Sequence, residues 1–70
     1  MSKKRTIKRM RLPNGTLVFI MTNSWGFHEY DLVVIEDNTK FRKNKEWCVL
    51  VRLEITGEIL PVPTKYIVEA

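Results

Sequence analysis

The stretch that decides the fold is residues 47–69, WCVLVRLEITGEILPVPTKYIVE. Its first nine residues alternate, so the apolar side chains at the odd positions share one face, as is typical of a half-buried strand. The turn at 56–58 leads to a second short strand, which meets Pro61 and Pro63; proline fits only an edge strand or a strand end. Residues 63–66 suit a single 3-10 turn before a last strand. The stretch therefore predicts an antiparallel β protein.

The same spacing of short strands continues upstream. Asn14 and Gly15 stand between two strand-like runs, which predicts a first hairpin, residues 6–12 with 16–22, closed by a type I′ turn. Residues 32–35 read as a further strand. No window shows the 3.6-residue period of a helix. We expect five to six short antiparallel strands closed into a small barrel, since closure hides the edges of so short a β protein.

Between these strands the sequence predicts two irregular segments. Residues 23–31 break the alternation and contain three aromatic residues, and residues 37–46 read as a charged loop whose one apolar residue is Phe41. Phe41 suits either a lid on the core or a surface that stacks on a nucleobase. The predicted domain spans residues 6–70, preceded by a flexible basic arm over 1–5.

Composition excludes several classes of protein. Seventy residues leave room for one domain. One cysteine and one histidine give neither an internal disulfide nor a zinc ligand set, so no metal or cofactor is expected. The longest apolar run is five residues, where a bilayer span needs about twenty. With no secretion signal at the start, we expect a cytoplasmic protein without a membrane partner.

The formal net charge of +4 is unevenly distributed. Residues 1–12 carry six bases and no acid, whereas the other 58 residues carry six bases and eight acids. Four of those six bases fall within residues 40–45. Two basic segments therefore flank a slightly acidic domain, and each is a candidate for phosphate contacts with nucleic acid. The candidate contact residues are Lys3, Lys4, Arg5, Lys8, Arg9 and Arg11 in the first segment and Lys40, Arg42, Lys43 and Lys45 in the second.

From Leu32 onward the order of motifs resembles the second half of a Src-homology-3 (SH3) domain. A strand ends in Asp-Asn-Thr at 37–39, a charged loop leads to Glu-Trp at 46–47, and the turn at 56–58 precedes the final stretch. Residues 57–69 are similar to the family's Gly-x-Ile-Pro-Ser-x-Tyr-Val-x-Glu ending. The resemblance covers about half of the chain, and these residues carry it: Trp47, Gly57, Pro63, Tyr66 and Ile67.

The resemblance implies a binding module. In SH3 domains the residues that match Trp47, Pro63 and Tyr66 line a groove for proline-rich peptides, together with tyrosines of a first-strand motif. The corresponding strand here, residues 17–22, lacks those tyrosines. The same small barrel also serves as a nucleic-acid-binding, ribosome-associated and subunit-clamping scaffold, so the resemblance supports the fold more than any peptide activity.

The aromatic residues divide between core and surface. We expect Phe27 to plug one end of the barrel and expect Trp25 and Tyr30 to contact a partner, since exposed aromatic residues anchor interfaces. Alternation places Trp47 on the core face, whereas the SH3 resemblance places it at the groove mouth. Both hold if Trp47 lies at the end of the barrel with one ring face exposed.

The sequence thus favours a non-enzymatic module that binds DNA, RNA or a protein of a nucleic-acid-handling complex through the basic arm and loop. The alternative is a protein-binding adaptor or small inhibitor that docks through Tyr30, Trp47, Pro63 and Tyr66. Nothing in the spacing brings His28 and Cys48 together as a catalytic pair, and no small-molecule substrate is expected. The chain is expected to be a monomer or a weak homodimer, the latter through the two-faced strand at residues 17–21.

Overall fold

The computed structural model describes residues 12–70, which form five strands and one 3-10 turn. Within these residues no helix has the length and apolar character needed to cross a membrane. The basic arm over 1–5 and the predicted strand over 6–11 lie outside the described residues. The elements are β1 (Leu17–Ile20), β2 (Asp31–Lys43), β3 (Glu46–Leu53), β4 (Ile59–Pro63), the 3-10 turn η1 (Thr64–Tyr66) and β5 (Ile67–Glu69).

All five strands belong to one antiparallel sheet in the order β4-β3-β2-β1-β5. The predicted fold class, all-β with a 3-10 turn near the end, is confirmed. In a flat sheet β4 and β5 would stand four strand spacings apart, about 19 Å. Instead η1 alone joins them, and both contribute to one core. The sheet therefore curls until its two edges approach each other.

The core lies inside the curl. Its buried members come from every strand and from the loop after β1, so one cluster holds the whole sheet together. Phe27 is 2% exposed within this cluster, as predicted for a plug. The core residues are Val18, Ile20, Phe27, Val33, Ile35, Val49, Val51, Val62 and Ile67.

The segment predicted as a charged loop, residues 37–46, is mostly strand. β2 continues through it to Lys43, and β3 starts at Glu46, so only Asn44 and Lys45 form the turn. Both turn residues have positive φ, 54° and 66°, which is the type I′ geometry of a two-residue hairpin. The loop prediction was wrong because this part of the ribbon is solvated and its charged side chains conceal the strand alternation.

The turn at Asn14 and Gly15 exists, but it is not of the predicted type. Gly15 alone has positive φ (92°), and the Thr16 N–H donates to the Pro13 carbonyl over 3.2 Å, which fits a type II turn rather than type I′. The two neighbours of β1 in the sheet are β2 and β5. Residues 17–20 therefore pair with these two strands.

The edge strand β4 is protected by its prolines. Pro61 and Pro63 pair with Leu50 and Cys48 of β3, and within the described chain no strand lies on the other side of β4. Proline has no N–H to offer a further strand, so this edge is a poor template for strand addition. The prediction that these prolines mark an edge is confirmed.

Candidate functional site

The end of the β2–β3 hairpin, residues 40–47, carries most of the basic residues of the described chain. We call it the ribbon tip. Arg42, Lys43 and Lys45 are exposed, and Lys40 is half-buried. The I′ turn at Asn44 and Lys45 fixes the two strands in register, so these cations occupy defined positions on a stiff ribbon rather than on a mobile loop.

Trp47 stands at the centre of one face of the ribbon tip. Arg42 is its register partner on β2, and directly opposed residues point to the same face of a sheet. The Arg42 guanidinium carbon lies 5.1 Å from the centroid of the indole, a cation–π distance. Trp47 is nevertheless 51% exposed. The two sequence-based positions for Trp47, core face and groove mouth, are thus compatible, because it ends the inward row of β3 where the core stops.

An open pocket of about 310 Å³ adjoins Trp47. Lys65 on η1 reaches across it, with its ammonium 3.0 Å from the Glu46 carboxylate and 5.3 Å from the Tyr66 ring centroid. The hydrogen bond to Glu46, together with its negative charge, raises the pKa of Lys65, so this side chain stays protonated. We call this pocket and its surroundings the Trp47 patch: Lys40, Arg42, Glu46, Trp47, Thr64 and Lys65.

Charge is segregated over the described residues. The ribbon tip holds four of the six basic residues among them. Its one acidic residue, Glu46, is paired with Lys65. The base farther along β3, Arg52, forms an ion pair with Glu36, with 3.0 Å between Nε and Oε1. The positive potential of the described chain is therefore concentrated beside Trp47, while its net charge is −2 because the remaining acids lie elsewhere.

The aromatic residues of the loop between β1 and β2 do not join the patch. Tyr30 is 67% exposed and contacts Phe19 edge-on, with ring centroids 6.4 Å apart, but it immediately precedes β2, whereas Arg42 lies at the other end of that strand. Trp25 sits at positive φ (60°) in a tight turn and packs against the core. Tyr30 is thus exposed to solvent, whereas Trp25 is partly buried.

The residues predicted to line a peptide groove differ in their exposure. Pro63, a predicted contact residue, is fully buried, whereas Trp47 is exposed. Tyr66 is partly buried against the core beneath Lys65. Phe41 pairs with Cys48 on the opposite face of the ribbon from Trp47, so it does not extend the patch.

The thiol of Cys48 is buried within the described part of the chain. Cys48 is 0% exposed, and its burial, with a smaller contribution from the charge of Glu46, raises the pKa of the thiol. A protonated, buried thiol is a poor nucleophile. Over residues 12–70 no cluster of three or more histidine, cysteine or carboxylate side chains is placed to hold a metal ion.

Three residues of the Trp47 patch were not among the candidates named from the sequence: Glu46, Thr64 and Lys65. The signal was indirect: the β3–β4 register sets Pro63 beside Cys48, so the turn that follows Pro63 must lie next to the start of β3. The six basic residues of the first segment, Lys3 to Arg11, lie outside the described residues. Comparison of the chain with protein-family models, with curated proteins and with solved structures finds no match.

Proposed function

We propose that this chain is a non-enzymatic module that binds nucleic acid, through the ribbon tip and the Trp47 patch together with the basic N-terminal segment. The observation that carries the proposal is the pairing of a half-exposed Trp47 with Arg42 in the most basic part of the described chain. Cations that contact phosphates, set beside an aromatic surface, are the usual composition of a sequence-independent nucleic-acid site.

The distribution of charge supports this reading over a merely solvated surface. A domain that needed charge only for solubility would gain as much from scattered bases. Here four basic residues lie together at one end of the ribbon, and residues 1–12 contain six more. Each cation that reaches a phosphate releases condensed counterions, so the expected binding is strongly salt-dependent and tolerant of sequence.

The experiment is a salt series with matched charge variants. Binding of a fluorescent oligonucleotide, single-stranded and duplex, is measured from about 50 mM salt upward. Arg42→Gln should weaken binding and reduce the slope of log affinity against log salt by about 0.7 to 0.9 if Arg42 makes one phosphate contact. Arg52→Gln removes the same charge from the Glu36 ion pair and is the control, with little change expected.

Two results would overturn the proposal: no binding of either oligonucleotide at about 50 mM salt, where such contacts are strongest, or equal losses for Arg42→Gln and Arg52→Gln. A combined replacement of Lys3, Lys4 and Arg5 by Gln tests the N-terminal segment in the same way. If those residues contact phosphates, this variant loses affinity and salt dependence without loss of thermal stability.

The alternative, a protein-binding adaptor or small inhibitor with an SH3-like groove, is less well supported. Of the four residues proposed for that groove, Pro63 is buried and Tyr30 lies at the far end of β2 from Trp47. The strand order and the 3-10 turn are compatible with the SH3 resemblance, but that kinship remains a proposal. Pro-rich peptide added in the same titration would reveal the alternative by displacing the oligonucleotide or binding without it.

A further inference from the structure

We infer that the nucleic acid this chain prefers is single-stranded, with an unpaired base stacked on Trp47. This inference rests on the proposed function and specifies its substrate class. It depends on the form of the Trp47 patch, in which a flat aromatic surface, and not a row of hydrogen-bonding side chains, stands beside the cations.

The indole can accept a base on the part of its surface that Arg42 leaves uncovered. Trp47 is 51% exposed although it ends the inward row of β3, and the Arg42 guanidinium lies over its ring at 5.1 Å. Guanidinium planes and aromatic rings are the two protein surfaces on which unpaired bases stack. Because Arg42 and Trp47 face each other across a tightly closed hairpin, this surface is formed before any ligand arrives.

The patch also offers groups for a backbone that continues past the stacked base. Lys40 and Lys65 line the pocket next to Trp47, with Thr64 at its floor, 9% exposed. Lys65 pairs with Glu46 over 3.0 Å at the edge of this pocket, so its ammonium lies within reach of a phosphate there. An aromatic platform with cations beside it is the arrangement by which proteins follow single strands.

A duplex cannot use this platform. Its bases are stacked on one another, so their π faces are covered and only their edges are presented in the grooves. A duplex would meet the ribbon tip through its grooves and its phosphates. Those contacts use the cations and edges of the ribbon and leave the ring of Trp47 without a stacked base.

The test compares a short oligothymidylate with a duplex of the same length. Trp25→Phe leaves Trp47 as the single tryptophan, so its fluorescence reports stacking directly. We expect quenching by the single strand and none by the duplex. Trp47→Leu should lower single-strand affinity by about 5- to 150-fold, the loss of about one stacked base, with little effect on duplex affinity, and Trp47→Phe should retain most of the binding. Tyr30→Ala, which removes an exposed aromatic residue elsewhere, is the control.

The outcomes separate the inference from the proposed function. If single strand and duplex bind equally, with salt dependence but no quenching, the stacking inference is overturned and the electrostatic proposal stands. If neither binds, the proposed function itself fails. Circular dichroism and melting curves of each variant confirm that it is folded, and because the affinities of Trp47→Leu and Trp47→Phe are measured with Trp25 in place, the test survives if Trp25→Phe is unstable.

Discussion

Lys45→Gly should make the protein more stable and a weaker binder at the same time. Lys45 occupies the second central position of the β2–β3 turn with φ of 66°, a conformation that costs a residue with a Cβ about 1–2 kcal/mol. Glycine avoids this cost but loses about 0.5–1 kcal/mol through its larger unfolded-state entropy. The net gain is about 0–1.5 kcal/mol, and its central value of about 0.75 kcal/mol corresponds to a rise in Tm of about 3–6 °C for a domain of this size.

Lys45→Ala is the matched control, because it removes the same charge but keeps the Cβ at positive φ. Thermal unfolding followed by circular dichroism should place Lys45→Gly above the wild type and Lys45→Ala at or below it. Both variants should lose nucleic-acid affinity equally, since both lack the charge. If Lys45→Gly melts no higher than Lys45→Ala, the left-handed turn, and with it the fixed ribbon tip, is refuted.

Three further predictions concern the core, an acid-sensitive turn and the thiol. Ile20→Val should cost about 0.5–1.5 kcal/mol of unfolding free energy in urea, whereas the same change at Ile55, which is 95% exposed, should cost under about 0.5; equal costs would contradict the assigned core. Asp37 accepts a hydrogen bond from the Thr39 N–H (3.0 Å), which is the main reason that its pKa lies below 3.8. The stability that this bond contributes is therefore present above pH 3.8 and is lost as the pH falls through the lower pKa of the folded state. Urea unfolding of Asp37→Asn should lack this part of the acid dependence, and an unchanged profile would refute the assignment. Cys48 should react slowly with iodoacetamide in the native protein and fully after denaturation, as followed by mass spectrometry; rapid native labelling would show that the thiol is not buried.

The second half of the fold could be predicted from sequence because its local signals agree. β3 alternates cleanly and two prolines limit β4, so the edge position, the 3-10 turn and the last strand follow from steric rules. The length of β2 could not be predicted in this way. Its far half is solvated on the ribbon tip, where hydrophobic alternation, the main strand signal, is absent.

The type of each turn also could not be predicted from the sequence. Asn14 and Gly15 have the residue preference of a I′ hairpin, yet the I′ turn forms at Asn44 and Lys45, where the flanking strands pair and their twist selects it. Tertiary pairing thus overrode the local preference. At the first turn, the Gly15 N–H donates to the Ile35 carbonyl over 2.7 Å, so β2 sets the conformation there.

Only part of the candidate site could be predicted, again because tertiary pairing decides which residues meet. The sequence showed the basic residues and Trp47 as candidates, but their position on one face depends on the hairpin register. Lys65 belongs to an element about twenty residues away in sequence and reaches the patch because the β3–β4 register sets Pro63 beside Cys48. The burial of Pro63 could not be predicted from the SH3 resemblance, because a resemblance gives a residue's position along the chain but not its exposure.

The most direct test of the account is an amide-shift titration of the labelled protein with a short single-stranded oligonucleotide. We predict that perturbations concentrate in residues 40–47 and 64–66, including the indole N–H of Trp47, and that they fade as salt rises. Shifts centred instead on Tyr30 or the turn near Ile55, or the absence of any shift at about 50 mM salt, would contradict the assignment of the Trp47 patch as the nucleic-acid site.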